Sequence, residues 1–294
     1  MELFQWELNP WGQEILVRIS WDLFWAAAAA GFLFIVGHLL YRRWAAKRVA
    51  EAPPAPARSP GQARNIPQRV VRHPLASRLF HGVMAASMFV LLFTGFLPVL
   101  GIKFSWVAIH WISGLVLTGS IVFHIVHASF WEKLENIWIS LSDMKEWWNE
   151  MKQIAGRPGP PRPKPGKYPV ENKLFHHLVV LAGFGVIATG LFMMVRVETP
   201  FWTRDPYLLS EATWGLVYVF HGLSSVALVT LIMAHVYFAI LPEKRWLTLS
   251  MVVGWITRKD YVENHDPARW VIQQETPAES TQPQRPQRLG QEPT

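Results

Sequence analysis

Residues 213–241, TWGLVYVFHGLSSVALVTLIMAHVYFAIL, contain no Asp, Glu, Lys or Arg and two histidines, His221 and His235. About 20 apolar residues cross a bilayer core of roughly 30 Å as a helix. This stretch is therefore a membrane span that carries two imidazoles. Fourteen residues separate them, so they are turned by about 1400° along a helix, about 40° short of four full turns. Both face the same way, about 21 Å apart along the axis. Ionisable side chains are costly in lipid and point to function.

Working outward, four more apolar runs appear, at 22–41, 79–99, 106–129 and 174–195. Only the first carries a charge, Asp22 at its edge. Composition agrees: 51% of residues are hydrophobic and 17% charged, against about a quarter charged in soluble domains. A soluble globular fold is excluded. The sixteen Trp suit a chain with many membrane–water boundaries. With no Cys, the chain has no disulfide, no Cys-ligated cluster and no thioether-bound haem. The net charge of +7 gives no reason to expect a nucleic-acid partner, because basic residues collect in membrane-protein loops for topological reasons.

The basic residues set the orientation. Segments 42–78, 130–173 and 242–294 hold nine, eight and seven Lys plus Arg, while loops 100–105 and 196–212 hold one and two. The positive-inside rule puts the first three in the cytoplasm, with the N-terminus outside and the C-terminus inside. The first 20 residues show neither a basic n-region nor a small-residue cleavage site, so no cleaved signal peptide is expected. Residues 51–69 read as a Pro/Ala-rich cytoplasmic linker after an N-terminal segment 1–50. Residues 132–155 read as one amphipathic helix, with Trp138, Leu141, Met144, Trp148 and Met151 on its apolar side. The stretch 157–169 is too rich in Pro and Gly for helix. Residues 263–294 form a polar tail, disordered from about Gln273. No internal repeat stands out.

Seven histidines lie in or beside the last four spans: His81, His110, His124, His127, His177, His221 and His235, with His176 beside His177. No carboxylate accompanies them, as expected of neutral imidazoles serving a cofactor. His110 and His124 repeat the fourteen-residue spacing. Paired ligands near each leaflet suit two stacked haems in a helix bundle. A zinc site needs three or four close ligands, which this spacing does not offer. By topology the outer haem pairs His110 with His221. The inner haem pairs His235 with either His81 or His124. Fourteen residues beyond His81 stands Gly95, which leaves room for a porphyrin edge.

Several stretches resemble a known family. Arg78-Leu79-Phe80-His81, opening a span that ends Phe93-Thr94-Gly95, resembles the first core helix of the membrane di-haem cytochrome b family. That family includes the gamma subunits of respiratory formate dehydrogenases and the cytochrome subunits of nickel–iron hydrogenases. His110-Trp111-Ile112-Ser113-Gly114 resembles the second core helix. Gly166-Lys167-Tyr168 with Asn172-Lys173 resembles a stretch of the formate dehydrogenase branch. His221-Gly222, His235, Pro242-Glu243-Lys244-Arg245-Trp246 and Met251-Val252-Val253-Gly254-Trp255 resemble the last helix and its sequel. The resemblance covers about residues 70–262. Pro169-Val170-Glu171-Asn172 departs from the family pattern.

The resemblance implies an all-α membrane protein: a four-helix di-haem cytochrome b bundle over 70–262 plus one extra N-terminal transmembrane helix. It implies haem ligation by His81, His110, His221 and His235, favouring His81 over His124. It also implies a quinone acceptor near the cytoplasmic face, with Asn172 and His177 as candidate contacts, in a bacterial inner membrane. The implied partners are a catalytic dehydrogenase subunit and an iron–sulfur subunit. The chain itself has no substrate-oxidising motif, so its role is electron transfer. Other readings are a cytochrome b serving a hydrogenase or a sulfur-compound oxidoreductase, or a haem-free membrane anchor.

Overall fold

The computed structural model describes residues 3–50, 66–132, 134–159 and 163–272. Most of the linker expected at 51–69, and the tail beyond 272, lie outside the described residues. Five helices are long and apolar enough to cross a membrane. They are α1 (Trp21–Ala50), α2 (Leu75–Phe96), α3 (Trp106–Trp131), α5 (Val170–Met194) and α6 (Glu211–Ile240), with α4 (Leu141–Ile154) outside the spans.

Local chemistry sets the helix starts. Pro74 and Pro169 stand immediately before α2 and α5, where a missing N–H costs nothing and a fixed φ favours the helix. The Ser210 hydroxyl accepts the Thr213 N–H at the start of α6. The run expected at 79–99 is displaced toward the N-terminus, because Pro74 lets the helix begin early and Pro98 lies just past its end.

Large side chains face outward along these helices. Leu181 is 71% exposed and Phe184 70%. In water such a surface would drive aggregation, whereas in lipid it is the required covering. Helix α2 packs along α3, and α5 along α6; α1 lies chiefly against α6. The Thr230 hydroxyl donates to the Ala27 carbonyl at 2.9 Å, and His38 Nδ1 lies 2.8 Å from the Tyr237 hydroxyl.

Two short antiparallel ribbons lie outside the spans, an addition to the all-α expectation. In the first, β1 (Phe4–Leu8) pairs with β2 (Glu14–Ile19). Asn9 closes its turn by accepting the N–H groups of Trp11 and Gln13, and Gly12 takes a φ of 76°. This hairpin docks on α6 at two glycines. A Cβ on Gly215 would stand 1.9 Å from the Leu16 carbonyl oxygen, and one on Gly222 would stand 2.9 Å from Ile19.

The second ribbon, β3 (Arg69–Val71) with β4 (Trp255–Thr257), belongs to a small cap at the other end of the bundle. Helices α7 (Arg245–Val253) and α8 (Arg258–Asn264) join it. Val70, Ile256, Tyr261 and Trp270 form its buried core. The chain thus stays packed to Trp270, past residue 262.

Arg72, 2% exposed, lies under the rings of Tyr168, Trp246 and Trp270. Its guanidinium donates to the Lys167 carbonyl at 2.9 Å and to His265 Nε2 at 3.1 Å. His265 Nδ1 donates in turn to the Gly166 carbonyl at 2.7 Å. One cation therefore joins the segment before α2, the loop before α5 and the C-terminal segment.

The single amphipathic helix expected over 132–155 is two pieces. A 3-10 turn spans Leu134–Asn136, and α4 begins only at Leu141. Ser140 breaks the helix by capping it: Ser140 and Asp143 exchange side-chain and backbone hydrogen bonds. Asp143 also accepts from Lys173 at 2.8 Å, which ties α4 to α5. Trp138 therefore precedes α4 and meets His177, with ring centroids 5.6 Å apart.

Candidate functional site

Two pairs of imidazoles meet inside the four-helix bundle formed by α2, α3, α5 and α6. His110 on α3 faces His221 on α6, and His81 on α2 faces His235 on α6. In both pairs the ring centroids are 6.3 Å apart. Metal–imidazole bonds are about 2.0 Å, and each ring nitrogen lies about 1.1 Å from its own centroid. Two imidazoles on opposite sides of one metal therefore have centroids about 6.2–6.4 Å apart. Both pairs are spaced for a shared iron.

The pairs lie at different depths. His110 lies four residues into α3 and His221 ten residues into α6, where its neighbour Gly222 meets Ile19 of the β1–β2 hairpin. His81 is near the start of α2 and His235 near the end of α6, close to the cap. The same-face reading of His221 and His235 thus corresponds to two sites at two levels.

Hydrogen bonds orient the pair nearer the hairpin. The Thr94 hydroxyl donates to the Val90 carbonyl at 2.7 Å. Having given up its proton, the oxygen accepts from His110 Nδ1 at 2.8 Å. Thr189 does the same on α5: its hydroxyl donates to the Gly185 carbonyl and accepts from His221 Nδ1 at 3.0 Å. With Nδ1 protonated, Nε2 of each ring keeps its lone pair for a metal. Glycines stand beside both rings. A Cβ on Gly95 would lie 3.6 Å from Cε1 of His110, and one on Gly190 would lie 3.5 Å from Cε1 of His221. Around His110 and His221 this donor set fits a haem, which needs neutral imidazoles and clear flanks.

The other sequence candidates lie elsewhere. His124 does not join His235; its ring stacks on Phe80, 4.2 Å between centroids and 8° from parallel. His127 Nδ1 lies 3.8 Å from Glu132. Asn172 is exposed on the first turn of α5. His177 donates from Nδ1 to the Lys173 carbonyl at 2.8 Å. His176 has a buried Nδ1 without a hydrogen-bond partner. Sequence reasoning missed Thr94 and Thr189. The signal was a Thr-Gly step in two spans, each thirteen residues after a Phe-His step.

Beneath His81, the cap holds two buried histidines outside the spans. Burial, with help from Arg72, lowers His265 to about 4. Burial and then Arg72 and Lys167 lower His73 to about 3. Burial also lowers Arg72 to about 10, still cationic at neutral pH, and raises Tyr168 to about 12.

A family model described as prokaryotic cytochrome b561 matches residues 72–254. That range begins in the cap, contains all four paired histidines and excludes α1. No curated protein matches the chain.

Proposed function

Because the chain belongs to the prokaryotic cytochrome b561 family, and is thus a multi-pass bacterial membrane cytochrome of the b type, we propose that it is the electron-transfer subunit of a respiratory dehydrogenase of the formate dehydrogenase kind. A catalytic subunit and an iron–sulfur subunit are its proposed partners, and quinone its proposed acceptor. The proposed ligands are His110 with His221 for one haem and His81 with His235 for the other.

The observation that carries this reading is the equal 6.3 Å spacing of two imidazole pairs at two depths. When bound, the haems supply reversible one-electron chemistry. The chain's own residues do the rest. Held by His110 with His221 and by His81 with His235, each iron would have no open position, which would suit electron transfer and not oxygen chemistry. Thr94 and Thr189 hold the two outer rings in one tautomer. The excess of basic residues at 42–78, 130–173 and 242–294 supports a cytoplasmic cap and an outer hairpin. On that orientation His110 and His221 would hold the haem on the side of electron entry, and His81 and His235 the haem on the side of exit. Each electron moved inward across the full membrane is worth about 2.3 kcal/mol per 100 mV. Asn172 and His177 stand at the cytoplasmic end of α5, where the proposed acceptor is reduced.

The test is a pyridine-haemochrome assay with a dithionite-reduced spectrum on the purified full chain. The expected result is two b haems per chain, one in His81→Ala and two in His124→Ala. Loss in His124→Ala alone would move the inner ligand to α3. A folded chain with no haem would overturn the cytochrome assignment of these residues and leave a membrane anchor.

A further inference from the structure

The four-helix core is built twice. Leu79-Phe80-His81 on α2 matches Leu174-Phe175-His176 on α5, and thirteen residues after each His stands Thr-Gly, at 94–95 and 189–190. His110 and His124 on α3 match His221 and His235 on α6, with the same spacing. The contacts repeat as well. Thr94 accepts from His110, and Thr189 from His221. Phe80 stacks on His124 at 4.2 Å, and Phe175 stacks on His235 at 5.2 Å, only 13° from parallel. The α2–α3 and α5–α6 hairpins thus repeat the same residues and contacts, the pattern that a two-fold rotation about the bundle axis would give.

This symmetry treats the two levels differently. His110 and His221 exchange with each other, so their site lies on the axis. His81 and His235 do not exchange with each other. Their images are His176 and His124, so the level near the cap contains a second imidazole pair. Those two rings are electrostatic neighbours but make no ring contact like the 6.3 Å pairs. His176 Nδ1 is buried and unpartnered. Among the described residues, no three His, Cys, Asp or Glu side chains converge to hold a metal ion.

We propose that His124 and His176 bind the head group of the quinone acceptor, in the image of the half-site that His81 and His235 devote to the haem. This rests on the quinone reading above and names the residues that perform it. A quinone presents two carbonyl oxygens on opposite edges of a flat ring, and two imidazoles can donate one hydrogen bond to each. Reduction to quinol takes two electrons and two protons. The electrons arrive singly from the His81/His235 site on the other side of the axis. Each proton passes from an imidazole N–H to a quinone oxygen, and the other ring nitrogen recovers one from the cytoplasmic side. For His124, Glu132 is an electrostatic neighbour that can return the proton. It accepts from the Ser77 hydroxyl, lies 3.8 Å from His127 Nδ1 and keeps a quarter of its side chain exposed.

The test uses the purified full chain with its haems and a fluorescent hydroxyquinoline N-oxide, a head-group mimic whose emission is quenched on binding. Wild type is expected to bind it. His124→Ala and His176→Ala are expected to keep two haems and an unchanged reduced spectrum while binding the probe about tenfold more weakly, the loss of one buried hydrogen bond. His176→Gln is expected to recover binding, because an amide N–H replaces the donor, but not quinol-driven haem reduction, because an amide does not relay a proton. Wild-type affinity in both alanine variants would overturn the proposal while leaving the quinone reading intact. Loss of a haem in either variant, or three haems in wild type, would overturn it by making the pair a haem site. A wild type that binds no probe would overturn the quinone reading itself.

Discussion

The Thr94 hydroxyl oxygen lies 2.8 Å from His110 Nδ1 while its own proton goes to the Val90 carbonyl one turn back. A donor that could have been satisfied inside its helix thus becomes an obligate acceptor for a histidine on the next helix. A ligand whose Nδ1–H is hydrogen-bonded is a stronger base, which favours the oxidised iron. Thr94→Val and Thr189→Val are therefore expected to keep the haem proposed for His110 and His221 but raise its midpoint potential, with haem affinity down about 10- to 100-fold. A redox titration checks this. Unchanged potentials in both variants would remove the threonines from any role in tuning.

Gly215 is expected to be irreplaceable where Gly37 is not. A Cβ at 215 would lie 1.9 Å from the Leu16 carbonyl oxygen, whereas one at 37 meets nothing within 4 Å. Gly215→Ala should cost about 1–3 kcal/mol, the usual range for forced overpacking, and should undock the hairpin from α6. Gly37→Ala should be neutral or slightly stabilising. Amide exchange over residues 14–19 reads the first effect directly.

Arg72 has no carboxylate among its bonded partners; a carbonyl, a histidine and three aromatic rings hold it. Arg72→Met keeps the volume but abandons the Lys167 carbonyl and His265. At about 1–1.5 kcal/mol per hydrogen bond, more for a charged donor, plus the cation–π contacts, a loss of about 2–4 kcal/mol is expected. Limited proteolysis should then cut the segment 254–272 while the spans stay intact. Arg72→Lys should recover only part of the loss, since an ammonium lacks the planar fork.

The same cap should loosen in acid. His73 and His265 titrate near 3 and 4 when folded, because burial disfavours the cation, and near 6.5 when unfolded. Between these values the unfolded state binds more protons, so stability rises with pH. The contribution is complete above about 6.5 and is lost as pH falls toward 4. Protection factors over 254–272, with the pH dependence of intrinsic exchange divided out, should fall between pH 6.5 and 4.5, and His265→Asn should flatten that dependence. An unchanged profile in the variant would exclude His265 as the sensor.

The spans were legible because lipid imposes length and charge rules on every crossing, and residues 79–95 or 213–240 obey them without exception. The histidine pairs were legible in part. Spacing on α6 fixed two levels, but the choice between His81 and His124 depends on how α2 and α3 are rotated about their axes, which a linear pattern does not state. The hairpin was readable and missed: FQWEL and EILVRI flank Asn-Pro-Trp-Gly-Gln, alternation around a turn. The internal duplication was hidden by unequal connections, since Thr94 precedes His110 by 16 residues but Thr189 precedes His221 by 32. Arg72 read as one of nine basic residues in a loop. Its burial depends on Trp246, Trp270 and Tyr168, which come from distant segments.

Protein synthesis is directional, and here α1 rests on α6, which is made much later. Ile19, Ala27 and His38 meet Val219 and Val226, Thr230 and Tyr237 on α6, which leaves the ribosome after the other four spans described. A chain halted before residue 211 would insert those four spans and still lack His221, His235 and the surface on which its N-terminal hairpin docks. The undocked hairpin and the missing ligands would then occur together. Emergence of α6, completion of both histidine pairs and docking of the β1–β2 hairpin are a single event in the life of the molecule.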